Sequence, residues 1–429
     1  MRGKDGKGLE MASGSGVTAF IPTFNRAGYL KVALSSLLKQ TLLPDEIIVI
    51  DDGSTDDTAQ AVASFGSQVI YVRKANGGKS SALNAGLQRS SHELIYILDD
   101  DDVVAPDAIE RLVAALKANP ECGFAYAGHD VFWVTDSGKI ITQTREPHPP
   151  DDHALSLALM HQCLLYQSNM LVRKKCYEQV GPFNEAFIRS QDYEMLLRLV
   201  RQFRGKRVDG IVFHQRKHTG VRGTSSLQIK RSNSATVQSS FDQKIFKAVY
   251  SHYALEEFLP GSHTPLSSQD QITALLERCV IVGRRELWTL AAQDLREIAA
   301  IASQSQIHGL TLEQSHILQR MFDASSAVLW NFASAGEFRA ALAAIPDPAL
   351  AKQIRAALGA PFTGHIRNSV KHKKVKSAAY LTACSMYFSP FGGSFARYLG
   401  NLALELSHRR HEANAAPSGS IPSSSSDRR

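Results

Sequence analysis

From Val17 onward the chain alternates short apolar runs with segments of helical spacing. VTAFIP (17–22), EIIVID (46–51), QVIYV (68–72) and ELIYIL (93–98) are compact and rich in β-branched residues, the pattern of buried strands. Between them, YLKVALSSLLKQ (29–40), TDDTAQAVASF (55–65) and KSSALNAGLQR (79–89) place apolar residues three or four apart, as helices do. PDAIERLVAALK (106–117) continues the series with proline at a first helical position. Strand–helix alternation of this kind predicts an α/β unit with a mainly parallel sheet and helices on both faces. From 120 to about 225 the pattern is mixed, with FAYAGHDVFWV and RVDGIVFHQ as strands. From about 229 it turns helical, most strongly over 269–303, 311–332 and 348–358.

These shifts divide the chain into a polar N-terminal tail (1–15), an α/β catalytic domain (16–228), an all-helical C-terminal region (229–410) and a Ser/Pro-rich flexible tail (411–429). No apolar run reaches the roughly 18 residues that would signal a membrane span. The N-terminus also lacks the apolar stretch of a secretory signal. The five cysteines are scattered and form no CxxC pair, which argues against a disulfide framework or a zinc site and fits a reducing, cytoplasmic setting.

Polar clusters close three of the apolar runs: TFNR after the first, DDGSTDD after the second and DDDD after the fourth. In parallel sheets ligands bind beyond the carboxyl ends of the strands, which is where these clusters fall. Four adjacent carboxylates, Asp99 to Asp102, repel one another, and a hard divalent cation relieves that repulsion while neutralising a diphosphate. The competing reading is a solvated acidic turn before the next helix. Asp51 and Asp52 suit hydrogen bonds from a base or ribose, whereas Ser54 to Asp57 are explained by a turn and a helix cap. NGGKSS (76–81) is not a Walker A loop, because Arg73 stands where that motif needs glycine; its glycines and Lys79 before a helix still suit a phosphate. Asp192, at the start of an amphipathic helix, is either a cap or a general base. His214 and His218 do not by themselves make a metal site.

Taken in order, FIPTFNRAGYLKVALSSLLKQTLLPDEIIVIDDGSTDDT, NGGKSSALNAGL, YILDDDDVVAPDAIERL, GPFNEAFIRSQDYEMLLRL and HQRKHTGVRGTS resemble the family 2 glycosyltransferases of GT-A fold over about residues 16–225. The resemblance implies an inverting transfer of a single sugar from a nucleotide-sugar, by family prior a UDP-sugar, to an acceptor hydroxyl. Pro22, Thr23, Asn25, Asp52, Lys79, Asp99 and Asp100 then belong to the nucleotide-sugar pocket, with Asp52 on the base and Asp100 near the ribose. Asp101 binds Mg²⁺ or Mn²⁺ on the diphosphate, His218 lies near the phosphates as a further metal neighbour, and Asp192 is the catalytic base. The four-aspartate run leaves open which of its members touch the metal. The QxxRW motif of processive synthases and their membrane spans are absent from this sequence, which favours single transfer in cell-surface glycan or polysaccharide synthesis.

The net charge is +7, which favours anionic partners without choosing among them. From 363 to 429 ten Lys/Arg stand against three Asp/Glu, so the whole excess lies in that segment. Basic HIRNSVKHKKVK followed by an apolar, aromatic stretch suits either a peripheral membrane contact through 363–410, at the inner face of the cell membrane, or a helix packed on the core. A glycan or lipid-linked acceptor fits the former. Nucleic acid is excluded as a partner by the lack of any RRM, zinc-finger or helix-turn-helix signature. Two alternatives stand beside the transferase: a non-catalytic nucleotide-sugar-binding module, against which Asp99–Asp101 and Asp192 argue, and a sugar-phosphate nucleotidyltransferase, against which TFNRAGY argues by replacing the glycine-rich motif.

Overall fold

The structure is a computed structural model, described for residues 16–135, 137–144, 150, 152–217, 222–223, 228–229, 234–261, 265–322, 335–371, 381–382 and 385. His218, both terminal tails and most of 363–410 lie outside the described residues. The chain divides into two compact units, Met1–Ile245 and Phe246–Arg429.

The first unit begins β1 (Val17–Thr23), α1 (Ala27–Leu37), β2 (Glu46–Asp51), α2 (Thr58–Ala63), β3 (Ile70–Arg73), α3 (Lys79–Arg89) and β4 (Leu94–Ile97). It continues β5 (Val103–Val104), α4 (Ala108–Ala118), β6 (Phe124–Val134), β7 (Ile140–Thr144), α5 (Asp152–His161), β8 (Met170–Arg173), α6 (Lys174–Val180), α7 (Gln191–Gln202) and β9 (Gly205–Arg216). The short pair β10 (Arg222–Gly223) and β11 (Gln228–Ile229) is antiparallel.

Nine strands form one sheet in the order β3-β2-β1-β4-β8-β6-β9-β5, with β7 on β6. The half built from β1 to β4 is parallel, as the strand–helix alternation predicts. Beyond β4 the sheet is mixed: β8 runs antiparallel to both β4 and β6, while β6 and β9 are parallel. The centre of the parallel half is dry on both faces: every residue of β1 and β4 is buried. The apolar faces of α1 and α4 close over it with Leu30, Leu34, Leu37, Ile109, Leu112 and Leu116, all inaccessible to solvent. Burying such side chains contributes roughly 1.5–3 kcal/mol each, which explains why continuous apolar runs specify these strands.

Parallel register aligns three polar clusters at one edge. Thr23 at the end of β1 pairs with Asp51 at the end of β2, and Phe20 pairs with Ile97, two residues before Asp99. The Asp52 amide donates to the Thr23 carbonyl at 2.9 Å and the Leu98 amide to the Phe20 carbonyl at 3.1 Å, carrying the alignment past the strand ends.

α8 (Ser234–His252) spans the division between the units. The second unit holds α9 (Ser268–Gly283), α10 (Trp288–Gln304), α11 (Leu312–Gln319), α12 (Gly336–Ala343) and α13 (Pro348–Lys371). Trp288 packs against Phe338 and Phe322, with ring centroids 5.5 and 6.5 Å apart. The charge-bearing centre of this unit is Asp294, fully buried, which accepts from Arg278 Nη2 at 2.7 Å and from the Tyr250 hydroxyl at 3.0 Å. No helix among the described residues is long and apolar enough to cross a membrane.

Candidate active site

The site is assembled at the aligned strand ends. The Thr23 hydroxyl donates to Asp100 Oδ2 at 2.8 Å. Arg26, three residues on, places Nη1 2.8 Å from Asp100 Oδ1 and 2.9 Å from Asp101 Oδ2. On the far side of the acidic run, Arg216 at the end of β9 donates its backbone amide to Asp102 Oδ1 at 2.9 Å and its Nε to the Asp101 carbonyl at 3.0 Å. The antiparallel pairing of Val103 with His214 sets that contact. The Arg216 guanidinium is held over Phe132 and Tyr29, 4.5 and 5.2 Å from their ring centroids. A cleft of about 460 Å³ adjoins the acids here, lined among others by Asn25, Arg26, Tyr29, Asp56 and Arg216.

Asp52 organises the glycine-rich loop. Its carboxylate accepts from the Gly77 and Gly78 amides at 2.9 and 2.7 Å, from Lys74 Nζ at 2.7 Å and from Asn76 Nδ2 at 3.1 Å. Gly78, at the N-terminal boundary of α3, has φ +89°, where a side chain would be strained, and this turn is what points Lys79 back toward the acids. Asn25 acts locally as well: its amide carbonyl accepts from the Thr55 backbone at 2.7 Å, joining the loops after β1 and β2. Pro22 sits within buried β1, paired with Ile50.

Asp192 reaches the same place from a distant stretch of chain. Along α3, Ser80 donates to the Phe187 carbonyl at 3.1 Å, and Asn84 pairs with the backbone of Phe183 at 3.0 and 2.8 Å. That fixes the segment leading into α7 against α3. Asp192 lies in the first turn of α7, not at its cap; the cap position is Ser190, in left-handed conformation at φ 59° and without a side-chain cap bond. Lys79 Nζ bridges the two parts, 2.9 Å from Asp99 and 3.2 Å from Asp192 Oδ2. Burial works against the Lys79 charge, but Asp192 and Asp99 outweigh it, and the pKa is raised.

The acidic run is under electrostatic load. Burial pushes Asp100 up to about 6, against the pull of Arg26. Asp99 is raised by burial and by Asp192 and Asp101, with Lys79 opposing. Asp102 is raised well above the usual carboxylate range by burial and by its neighbours Asp101 and Asp99. Carboxylate oxygens of Asp99, Asp101 and Asp102 lie within 4.8 Å of one another. Oδ1 of Asp192 is buried with no hydrogen-bond partner, whereas Oδ1 of Asp99 has the Lys79 ammonium 2.9 Å away. An all-oxygen set of three converging carboxylates fits a hard divalent ion such as Mg²⁺ or Mn²⁺.

The structure therefore brings Thr23, Lys79, Asp99, Asp100, Asp101 and Asp192 into one cluster, ties Asp52 to its Gly-rich flank and leaves Asn25 at its rim. Arg26 and Arg216 belong to the site, although the sequence reading did not single them out. Arg26 stands inside the TFNR cluster; its distinguishing feature, a guanidinium within reach of acids 74 and 75 positions away, exists only in the fold.

Part of the chain matches known proteins. Residues 18–181 match the family model for glycosyl transferase family 2. An uncharacterized glycosyltransferase of Rickettsia conorii is 33% identical over 190 residues, 43% of this chain and 31% of the relative. A second, from Rickettsia felis, is 31% identical over 188 residues, again 43% of this chain and 31% of the relative. The chain thus spans about a third of the length of these curated relatives. Chondroitin synthase of Pasteurella multocida is 25% identical over 246 residues, covering 56% of this chain and 24% of that protein. Among solved structures, S. aureus TarS 1-349 overlaps 92% of each chain at 15% identity and a TM-score of 0.45. Residues 18–181, the part of the chain that matches glycosyl transferase family 2, run from β1 through β8 and include the acidic run.

Proposed function

We propose that the first unit transfers a single sugar from a nucleotide-sugar, a UDP-sugar by family prior, to an acceptor hydroxyl with inversion at the anomeric carbon. One observation carries this reading: a single ammonium, Lys79, touches both Asp99 of the acidic run and Asp192. An acid cluster suited to a diphosphate-bound cation and a base candidate then stand on either side of one ammonium. Asp192 accepts the proton of the acceptor hydroxyl while the hydroxyl oxygen bonds to the anomeric carbon and the bond to the diphosphate breaks. General-base help of this kind is worth roughly 10²–10⁴-fold. A divalent ion held by Asp101, with Asp99 and Asp102, would supply charge neutralisation for the departing diphosphate. Arg26, Lys79 and Arg216 orient the acids and stand closest to the phosphate region. Asp52 supports the donor by shaping the Gly77–Gly78 loop.

Similarity to chondroitin synthase and hyaluronan synthase of Pasteurella multocida supports an acceptor that is itself a glycan or a lipid-linked glycan. The test is a thermal-shift screen of nucleoside diphosphate sugars with Mn²⁺, followed by NMR of the product formed with the donor that stabilises most. A rise in Tm with one donor class and a product anomer opposite to the donor's supports the proposal. No stabilisation by any nucleotide-sugar, or a product of retained configuration, overturns it.

A further inference from the structure

Two of the protein's own cations, Arg26 and Lys79, already sit on the acidic run. Arg26 Nη1 sits between Asp100 Oδ1 and Asp101 Oδ2, at 2.8 and 2.9 Å, which is where a cation serving Asp101 must also draw its ligand oxygen. Arg26 is held in place at its backbone, where its carbonyl accepts the first bond of α1 from the Leu30 amide at 3.0 Å. It retains 22% exposure and lines the 460 Å³ cleft, so the guanidinium is at the boundary between the acids and open space. A guanidinium on Asp101 Oδ2 competes with a divalent ion for that oxygen and repels an ion at the neighbouring one. Arginine is also the side chain best matched to phosphate oxygens, through its fork of donors.

We infer that Arg26 is an internal counter-ion that holds the place of the metal in the donor-free protein and passes to the diphosphate when the donor arrives. The inference rests on the transferase reading of the site for the identity of the anion that draws Arg26 away. Its consequence is an order of events. Divalent ion alone binds weakly, because it must displace Arg26. Nucleotide and ion together bind well, because the diphosphate takes up the released guanidinium. By linkage the two ligands raise each other's affinity by the same factor.

The test is a Mn²⁺ titration of the whole chain by EPR, without nucleotide and with UDP, subtracting Mn²⁺ held by UDP alone. Wild type binds Mn²⁺ weakly alone and about tenfold or more tightly with UDP. Arg26→Met binds Mn²⁺ alone about tenfold more tightly than wild type, and UDP raises its affinity by a smaller factor than in wild type. Arg26→Lys, which keeps the charge, stays within about threefold of wild type and guards against a folding artefact in the methionine variant. Nucleotide-free Mn²⁺ affinity in Arg26→Met equal to or below wild type overturns the inference, even where transfer activity is present. A tighter Arg26→Met site in a protein that transfers no sugar upholds the counter-ion and instead sinks the transferase reading.

Discussion

Lys79 is where the account is most exposed to measurement. Its ammonium lies 2.9 Å from Asp99 and 3.2 Å from Asp192, and the three side chains are 32%, 31% and 21% exposed. At an effective dielectric of 20, each of these contacts is worth about 5–6 kcal/mol of gross attraction. Partial removal of the ammonium from water takes back several of those. Pairs at a surface contribute about 0–1 kcal/mol and breaking a fully buried pair costs about 3–5, so this half-buried bridge falls between. Lys79→Met is therefore expected to lower stability by about 2–3 kcal/mol. The sign with pH is fixed by the raised pKa: the stabilisation is complete below the ordinary value of 10.5 and fades as alkali climbs from there toward the higher folded value. The assay is a double-mutant cycle in urea with Lys79→Met, Asp192→Asn and the pair. Since the bridge needs both partners, the double variant should be about 1–2 kcal/mol more stable than the sum of the single losses predicts. Additivity to within about 0.5 kcal/mol refutes the bridge and with it the shared cleft.

Two further outcomes follow from packing and charge elsewhere. Gly86→Ala places a Cβ 2.4 Å from the fully buried Phe20 ring; overpacking of about 1–3 kcal/mol against a helix-propensity gain of up to about 1 should lower Tm by a few degrees, and an unchanged or higher Tm by calorimetry contradicts the α3–β1 contact. In the second unit, burial holds Asp294 up at about 6 despite Arg278, against an ordinary 3.8. Its protonated form is favoured by folding, so stability contributed by this group is present at low pH and is lost as pH rises from about 4 through 6, by up to about 3 kcal/mol. Asp294→Asn should remove that slope from denaturation curves taken between pH 4 and 7; an unaltered slope assigns it to other groups.

Local pattern carried a large part of the fold. Glu46–Asp51 and Lys79–Arg89 are strand and helix over the same residues that their periodicity marks, because continuous apolar runs and three-to-four spacing are written within a few positions. In the mixed half, β6 and β9 were legible as the strands FAYAGHDVFWV and RVDGIVFHQ, but their pairing and β8 were not. β8 is four residues long, and its place between β4 and β6 is decided by partners 44 to 79 positions away. Arg173 at its end is fully buried, with donors satisfied by the Cys122 and Leu116 carbonyls, a role no charge pattern announces. The acids of the site were legible because they cluster at strand ends. What they touch was not: Asp52 reads as a ligand contact and is engaged by four donors from its own chain, while Arg26 emerges as the cation on Asp100 and Asp101 only once β1 and β4 are aligned.

The central claim is that Asp192 serves the chemistry of the cleft and not the architecture of α7. The direct measurement is single-turnover sugar transfer by Asp192→Asn beside calorimetric titration of the donor with Mn²⁺. The account predicts donor affinity within about threefold of wild type and a rate lower by at least about 10²-fold. Transfer at the wild-type rate with donor bound normally would contradict it.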